Sequence, residues 1–251
     1  MKEIHYFYTP DIATSNELPA DEAVHAVRVL RLQPGDPIML MDGKGTFYEA
    51  EVTEATQKRC QFSIVNSLPQ TPQWQGRLHL AIAPTKMMER MEWMAEKATE
   101  IGIDEISFLE GQFSERRKMR VDRIEKTVVS AMKQSRKAWM PAINDMIPVK
   151  QFIDTPREGR KFICHCHEEI PRTSLQQKLE EVQSSMFNVQ CSTANGQSFT
   201  VLIGPEGDFS IEEVEYALKH GYESVSLGDF RLRTETAALV ALMTIRLKVK
   251  G

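Results

Sequence analysis

The chain has 251 residues, 41% of them hydrophobic and 26% charged, with a formal net charge of −4. This is ample material for one large buried core or two smaller ones, and the ordinary composition excludes a disordered or low-complexity protein. No apolar run approaches bilayer length, Met1 to Tyr6 opens no secretory core, and four scattered cysteines (Cys60, Cys164, Cys166, Cys191) make no disulfide framework, so a cytoplasmic protein is expected.

The first part reads as a small, mostly β unit. Ala20 to Arg28 has helical character, and Gln33-Pro34-Gly35-Asp36 is a strong turn signal. Pro37 to Met41 and Thr46 to Thr53 form a predicted strand pair around the glycine-bearing loop Asp42-Gly43-Lys44-Gly45, and Arg59 to Asn66 offers a third strand. Leu68 to Gln73 carries two prolines and no periodicity, which marks a linker and places a domain boundary after residue 70.

Beyond it, strands and helices alternate. Leu78 to Ala83 is a short apolar run, Lys86 to Ile101 a helix, and Glu105 to Leu109 a strand. Met87, Met91, Met94, Ala98 and Ile101 recur at helical spacing before Gly102, a core stripe rather than a ligand box. Helices are expected over Val121 to Lys137 and Ser174 to Ser185, with strands at Lys161 to Cys166, Phe199 to Ile203 and Ser224 to Leu227. An amphipathic helix over Glu235 to Lys248 ends the chain. Such alternation predicts an α/β domain with a mostly parallel sheet covered on both faces.

Two blocks stand out: Leu202-Ile203-Gly204-Pro205-Glu206-Gly207-Asp208-Phe209-Ser210, and Leu227 to Ala237, which reads Leu-Gly-Asp-Phe-Arg-Leu-Arg-Thr-Glu-Thr-Ala. In each, a strand breaks into a glycine loop that feeds a helix. Ligands of open α/β sheets sit at such strand ends, so the two loops suggest one small-molecule pocket. Neither block has a phosphate-binding glycine pattern, and Glu206 with Asp208 would repel a phosphate, whereas a cationic or hydroxyl-bearing ligand suits them. Ser210-Ile211-Glu212-Glu213 is a capping box, which accounts for Ser210 structurally. Thr234 is the expected cap of the last helix, with Glu235 complementing its dipole. Arg233, a cation at a helix start, breaks that rule and so hints at function.

Cys164-His165-Cys166-His167 invites a metal reading, but strand alternation would put the cysteines and histidines on opposite faces, and no metal is expected. Basic clusters at Arg28 with Arg31, Arg116 with Arg117, and around Arg136 can track phosphates despite the overall acidity; solvated helix faces are the plain alternative.

The paired blocks resemble the signature of the RsmE family of 16S rRNA (uracil-N3) methyltransferases, within the SPOUT superfamily. The family's Gly-Pro-Glu-Gly-Gly-Phe-Ser matches Gly204 to Ser210, and its Leu-Gly-x-Arg-Ile-Leu-Arg-Thr-Glu-Thr-Ala matches Leu227 to Ala237. Further matches are Lys97 to Gly102, Gln134-Ser135-x-Arg, and Val29 to Leu32 ahead of Pro34-Gly35-Asp36. The chain departs from the pattern at Asp208, where the family has glycine, and at Phe230-Arg231, where it has Arg-Ile.

The resemblance implies a PUA-like N-terminal β-barrel for RNA binding (1–70) and a C-terminal SPOUT α/β methyltransferase domain with a deep trefoil knot (71–251). It implies S-adenosylmethionine as cofactor, N3 of a uridine in 16S rRNA of the small ribosomal subunit as target, and a homodimer with the pocket at the subunit interface; no DNA or membrane is expected as partner. Mapped onto the strand-end loops, the cofactor would be held by Leu202, Ile203, Gly204, Pro205, Glu206 and Gly207 from the first, and by Ser226, Leu227, Gly228, Leu232, Arg233, Thr234 and Ala237 from the second. Glu206 and Glu235 are candidate bases, and Arg233 and Arg231 candidate stabilisers of negative charge on the uracil. Arg28, Arg31, Arg116, Arg117 and Arg136 are the expected RNA contacts. An RNA-binding module without catalysis is the alternative from another class, and a SPOUT enzyme acting on tRNA or on ribose is a third reading.

Overall fold

A computed structural model describes residues 4–72, 74, 76–186 and 198–249. The chain divides into two compact units, one of Met1–Gln73 with Val129–Met140, the other of Trp74–Val128 with Pro141–Gly251. Residues 129–140 thus belong to the first unit, although a single cut after residue 70 assigns them to the second.

In the first unit, strands β1 (His5–Tyr8), β2 (Pro37–Met41), β3 (Thr46–Ala55) and β4 (Cys60–Pro69) form a sheet in the order β1-β2-β3-β4, with β1 parallel to β2 and the other pairs antiparallel. Asp42 fixes the β2–β3 turn by accepting from the amides of Lys44 at 2.7 Å and Thr46 at 3.0 Å. Period-two alternation sends Phe7, Ile38, Leu40, Ala50, Val52 and Phe62 to one buried face. Ala23 and Ala26 pack there from the helical segment, and Leu18 closes it from the edge, where the Leu18 amide donates to Cys60 O and the Phe62 amide to Asn16 O. Residues 129–140 are held by backbone bonds from Gly45 N to Ala138 O and from Met140 N to Gly43 O, while the Arg136 guanidinium stacks over Tyr6. Such contacts between residues so far apart in the chain leave no local trace in the sequence.

Three expectations for this unit change. The helix over Ala20 to Arg28 is α-helical only in α1 (Ala20–Val24) and continues as a wider π turn over His25–Val29, which swings Leu32 into the core. β4 runs to Pro69, opposite Thr46, so the linker begins two residues after Leu68 rather than at it. β1 was not foreseen; it is a four-residue edge strand whose aromatic run has too little length for a periodic signal.

The second unit is a seven-stranded, wholly parallel sheet in the order β7-β6-β5-β10-β8-β11-β9, built from β5 (Arg77–Ile82), β6 (Glu105–Glu110), β7 (Ala142–Pro148), β8 (Arg160–Cys164), β9 (Thr173–Ser174), β10 (Ser198–Ile203) and β11 (Glu223–Ser226). Its helices are α2 (Met88–Ile101), α3 (Val121–Gln134), which ends in the first unit, α4 (Val149–Asp154), α5 (Leu175–Met186), α6 (Ile211–Lys219) and α7 (Thr234–Val249). Ala81, Ile163 and Leu202 form one core with Phe152 of α4 and Val214 and Ala217 of α6. Their strand neighbours Leu80, Phe162 and Val201 point the other way and are equally buried, with α7 against β5 and β10 and both α2 and α5 against α7. Both faces of the central strands are therefore covered, which is why they read as unbroken apolar runs.

The methionine stripe of α2 holds at Met91, Met94 and Ala98, which are buried, and changes only at its start, where Met87 is the exposed N-cap and Met88 is buried instead. α7 is not amphipathic. Ala238, Ala241, Leu242, Ile245 and even Arg246 are buried while Met243 and Leu247 are exposed, so apolar residues ring the helix. β7 and α4 were not foreseen, because Asn144-Asp145 interrupts an edge strand with residues that strands disfavour.

Inside the sheet, buried His79 makes a 2.8 Å hydrogen bond to Ser107 Oγ and lies 3.4 Å from Glu105, and Asn144 donates to both Glu105 and Ser107. Burial lowers the His79 pKa from 6.5 to about 4 against the opposing pull of Glu105. The neutral ring's contribution to stability is therefore complete above about pH 6.5 and is lost as the pH falls toward 4. Acidification through that window is expected to lower the melting temperature of the wild type more than that of His79→Gln. Equal acid sensitivity in thermal melts would contradict this assignment.

Candidate active site

Four parallel strands end along one edge of the second sheet. Ile203, the last residue of β10, pairs with Ile82 on one side and Cys164 on the other, and Cys164 pairs in turn with Val225 of β11. Three loops leave this edge together: 204–210, 227–233 and 165–172. They and Arg90 of α2 line a cavity of about 1060 Å³.

Of the expected cofactor residues, Ile203, Gly204, Pro205, Glu206, Ser226, Leu227, Gly228, Leu232, Arg233, Thr234 and Ala237 line the cavity. Leu202 and Gly207 do not. Leu202 alternates into the core, and Gly207 sits behind the loop, where an added Cβ would lie 3.0 Å from Phe113. Gly204 has a structural reason of its own, since a Cβ there would stand 2.9 Å from the Phe209 amide nitrogen.

The first loop is tied down by side-chain bonds from both of its ends. Ser210 and Glu213 form the expected capping box, with bonds of 3.2 and 2.9 Å, and the second Glu213 oxygen accepts from Gln112 N. Asp208 has a φ of +69°, the left-handed region that explains the family's glycine here. Its carboxylate accepts from its neighbour Phe209 N at 2.8 Å and from Cys166 N, beyond the end of β8, at 2.7 Å. Glu206 is exposed, with one oxygen accepting from Lys86 N at 3.2 Å. Arg116 in turn donates to the carbonyls of Thr85 and Lys86, so this arginine holds the loop beside Glu206.

The second loop joins the first through Arg231, which donates to Glu206 O at 3.3 Å. Gly228 has a φ of +129° and no atom within 4 Å of where a Cβ would stand. Arg233, not Thr234, is the N-cap of α7, because its carbonyl accepts from Ala237 N at 2.8 Å. Thr234 is buried as the first helical residue. Glu235 is buried too: Oε1 lies 3.6 Å from Arg90, and Oε2 has no hydrogen-bond partner among the described residues. Arg233 is exposed and has no partner among the described residues, whereas Arg90, Arg172 and Arg231 around the same cavity each have one.

The third loop was the missed wall. β8 stops at Cys164, so the alternation expected through His167 does not hold: Cys164 and His165 are both buried and Cys166 is exposed to the cavity. His165 Nε2 lies 2.8 Å from Ser224 Oγ, and burial lowers its pKa to about 4, while His167 Nε2 lies 2.7 Å from Phe209 O and so donates to it. Burial, reinforced by Asp208, raises the pKa of both thiols. Among the described residues no group of three or more His, Cys, Asp or Glu is arranged to hold a metal ion. Cys191 lies outside the described residues.

The basic clusters separate by role. Arg28 and Arg31 are exposed in the first unit, as is Arg136 beside Tyr6. In the second unit Arg117 pairs with Glu110 at 2.5 Å, and Arg116 is committed to backbone carbonyls. Two of the five expected RNA contacts thus have other partners.

Asp208 supplies the sharpest test of this geometry. Asp208→Ala removes a charged acceptor from two amides and is expected to destabilise the protein by about 2 kcal/mol. Asp208→Gly should cost less, because glycine relieves the left-handed backbone. Denaturant midpoints check both, and an unchanged midpoint for Asp208→Ala would show that the link to Cys166 carries no stability.

Comparison with known proteins places the molecule. Residues 72–246 match the model of an RNA methyltransferase domain, and residues 18–65 that of an RNA methyltransferase PUA domain. The crystal structure of a probable rRNA-methyltransferase from Porphyromonas gingivalis is 45% identical, with a TM-score of 0.84 over 97% of this chain and 98% of that one. A ribosomal RNA small subunit methyltransferase E from Neisseria gonorrhoeae, solved bound to S-adenosyl methionine, is 24% identical, with a TM-score of 0.79 and 98% of each chain covered; at that identity it speaks for the fold. The ribosomal RNA small subunit methyltransferase E of Rickettsia conorii is 27% identical over 233 residues, 92% of this chain and 89% of its own length. With its PUA-like first part and its α/β second part, this chain belongs to the RNA methyltransferase family that its two glycine-loop motifs resemble, the family of the ribosomal RNA small subunit methyltransferases E.

Proposed function

We propose that this protein methylates N3 of a uridine in 16S rRNA of the small ribosomal subunit, using S-adenosylmethionine. The observation that carries the reading is the convergence of both motif loops on one cavity at the carboxyl edge of the sheet. The cavity suits this cofactor. Apolar Ile203, Val225, Leu227 and Leu232 offer a surface for an adenine, and the carboxylates of Glu206 and Asp229 suit hydroxyls and a sulfonium.

When bound, the cofactor supplies an already activated methyl group, so the chain's own task is to place and ionise the acceptor. For N3 of the uracil to accept that group, the N3 proton must leave the imide. Arg233, exposed at the cavity and without a partner among the described residues, is the residue that stabilises negative charge on the uracil oxygens. Arg231, bound to Glu206 O, serves the loop instead. Of the two candidate bases, Glu206 is exposed at the cavity with one oxygen uncommitted among the described residues, whereas the Glu235 oxygen without a partner among them is sealed from solvent, so Glu206 takes the proton.

The finer architecture belongs to the same reading. Residues 1–70, with 129–140 that belong to the same unit, act as the RNA-binding domain, with Arg28, Arg31 and Arg136 on phosphates, and the rest of 71–251 acts as the SPOUT methyltransferase domain. Closure of the first sheet into a barrel is supported by residues 16–18 pairing on the outer edge of β4. A trefoil knot is supported by the return of α7, after β11, to pack on β5, β10 and α2. A homodimer is supported by the exposed Trp93, Met243 and Leu247 on two helices that pack together. A cytoplasmic setting follows from the proposed ribosomal substrate, and among the described residues no helix is long and apolar enough to cross a membrane.

Arg233→Ala is expected to cut turnover roughly a hundredfold or more while leaving cofactor affinity near wild type. Lys should rescue only in part, for want of a planar fork, and raising the pH should partly restore the alanine variant because solvent then helps ionise the uracil. Methyl-transfer kinetics beside calorimetry with S-adenosylmethionine check this. Wild-type turnover in the variant, or a loss explained by the cofactor alone, would remove Arg233 from the chemistry.

A further inference from the structure

Phe230 is 87% exposed, more than any other large apolar side chain among the described residues, and it lines the cavity between Asp229 and Arg231. The ring stands in the open. Gly228 leaves free space on one side, and on the other the Arg231 side chain donates to Glu206 O of the first loop. Three residues on is Arg233, without a partner among the described residues. The chain also breaks the family pattern here, with phenylalanine where arginine is usual. An aromatic face and an exposed guanidinium lining one cavity match the chemistry of a nucleobase, which offers a π-face for stacking and carbonyl oxygens for the cation.

We infer that Phe230 is the stacking platform for the target base, holding the extruded uracil against the cavity mouth while Arg233 reaches its oxygens. The inference rests on the proposed methylation of RNA and adds to it the residue that captures the base. An enzyme that acts on a ring atom within a folded RNA must take that base out of its stack, and an aromatic side chain replaces part of the stacking lost. A ring kept in water in the free protein is then covered in the complex.

The test uses the full chain, S-adenosylmethionine, and unmethylated 16S rRNA, both free and within small subunits. Phe230→Ala is expected to lower kcat/KM for RNA by about 5- to 150-fold, the range for loss of one base-stacking contact. Cofactor affinity by calorimetry and oligomeric state by sedimentation should match the wild type. Phe230→Tyr and Phe230→Trp should keep most of the activity, and in Phe230→Trp the added fluorescence should be quenched by RNA but not by the cofactor alone. Undiminished kcat/KM in Phe230→Ala overturns the inference. So does a loss that tracks weakened cofactor binding, or a change of oligomeric state, which would assign the ring to the cofactor or to a second copy of the chain. If the wild type transfers no methyl group to either substrate, the proposed reaction falls, while quenching in Phe230→Trp still reports directly on the base contact.

Discussion

The parallel register at Ile203 is the constraint on which the rest depends. Because β10 pairs with β5 and β8 at the same residue, and β8 with β11 one strand further on, three loops leave the sheet at one level. Parallel strands bring all their carboxyl ends to one edge, and right-handed crossovers put the connecting helices on the faces, out of the way. A slip of one residue in β10 would turn Leu202 toward α7 and Val201 toward α4 and α6, exchanging the two faces of a strand buried on both. Burial on both faces thus fixes the register, and the register sets the cavity.

Each loop is then fastened by a group that the strand pattern does not supply. Asp208 links the first loop to the segment after β8, Arg231 links the second loop to the first, and Arg116 holds the Thr85–Lys86 turn whose amide meets Glu206. Charge-assisted bonds to backbone groups are among the stronger hydrogen bonds available. They leave Arg233 as the cation at this cavity with nothing to hold among the described residues, at a helix N-cap where the dipole disfavours it. An arginine kept in a place that costs stability, beside arginines that are all engaged, is better explained by a ligand than by the fold.

Much of this was legible in the residues. The strand-to-glycine-loop breaks at Ile203 and Leu227 announced the cavity walls, and Ser210 with Glu213 announced the helix cap, because these signals are local. What lay hidden was non-local. His165, Cys166 and Arg172 line the cavity only because β8 lies beside β10; a sequence without pairing information reads the first two as the end of a strand and gives Arg172 no role. Arg90 comes from the first turn of a helix more than a hundred residues before its partner Glu235. Arg116 looked like part of a basic patch, yet its partners are carbonyl oxygens, which carry no signature in the sequence. Thr234 lost the cap to Arg233 because the helix begins one residue before the expected Glu235, and a good capping side chain does not by itself decide where a helix starts.

The chemistry proposed for the cavity that these loops shape is delivery of a methyl group to a uracil nitrogen of small-subunit rRNA. Nucleoside mass spectrometry of 16S rRNA from cells lacking this protein tests it most directly. The account predicts that N3-methyluridine is absent from that RNA and is restored, at a single uridine, when the purified protein and S-adenosylmethionine are added to the small subunits. N3-methyluridine persisting in the deficient cells, or a methyl group appearing on ribose or on another RNA, would contradict it.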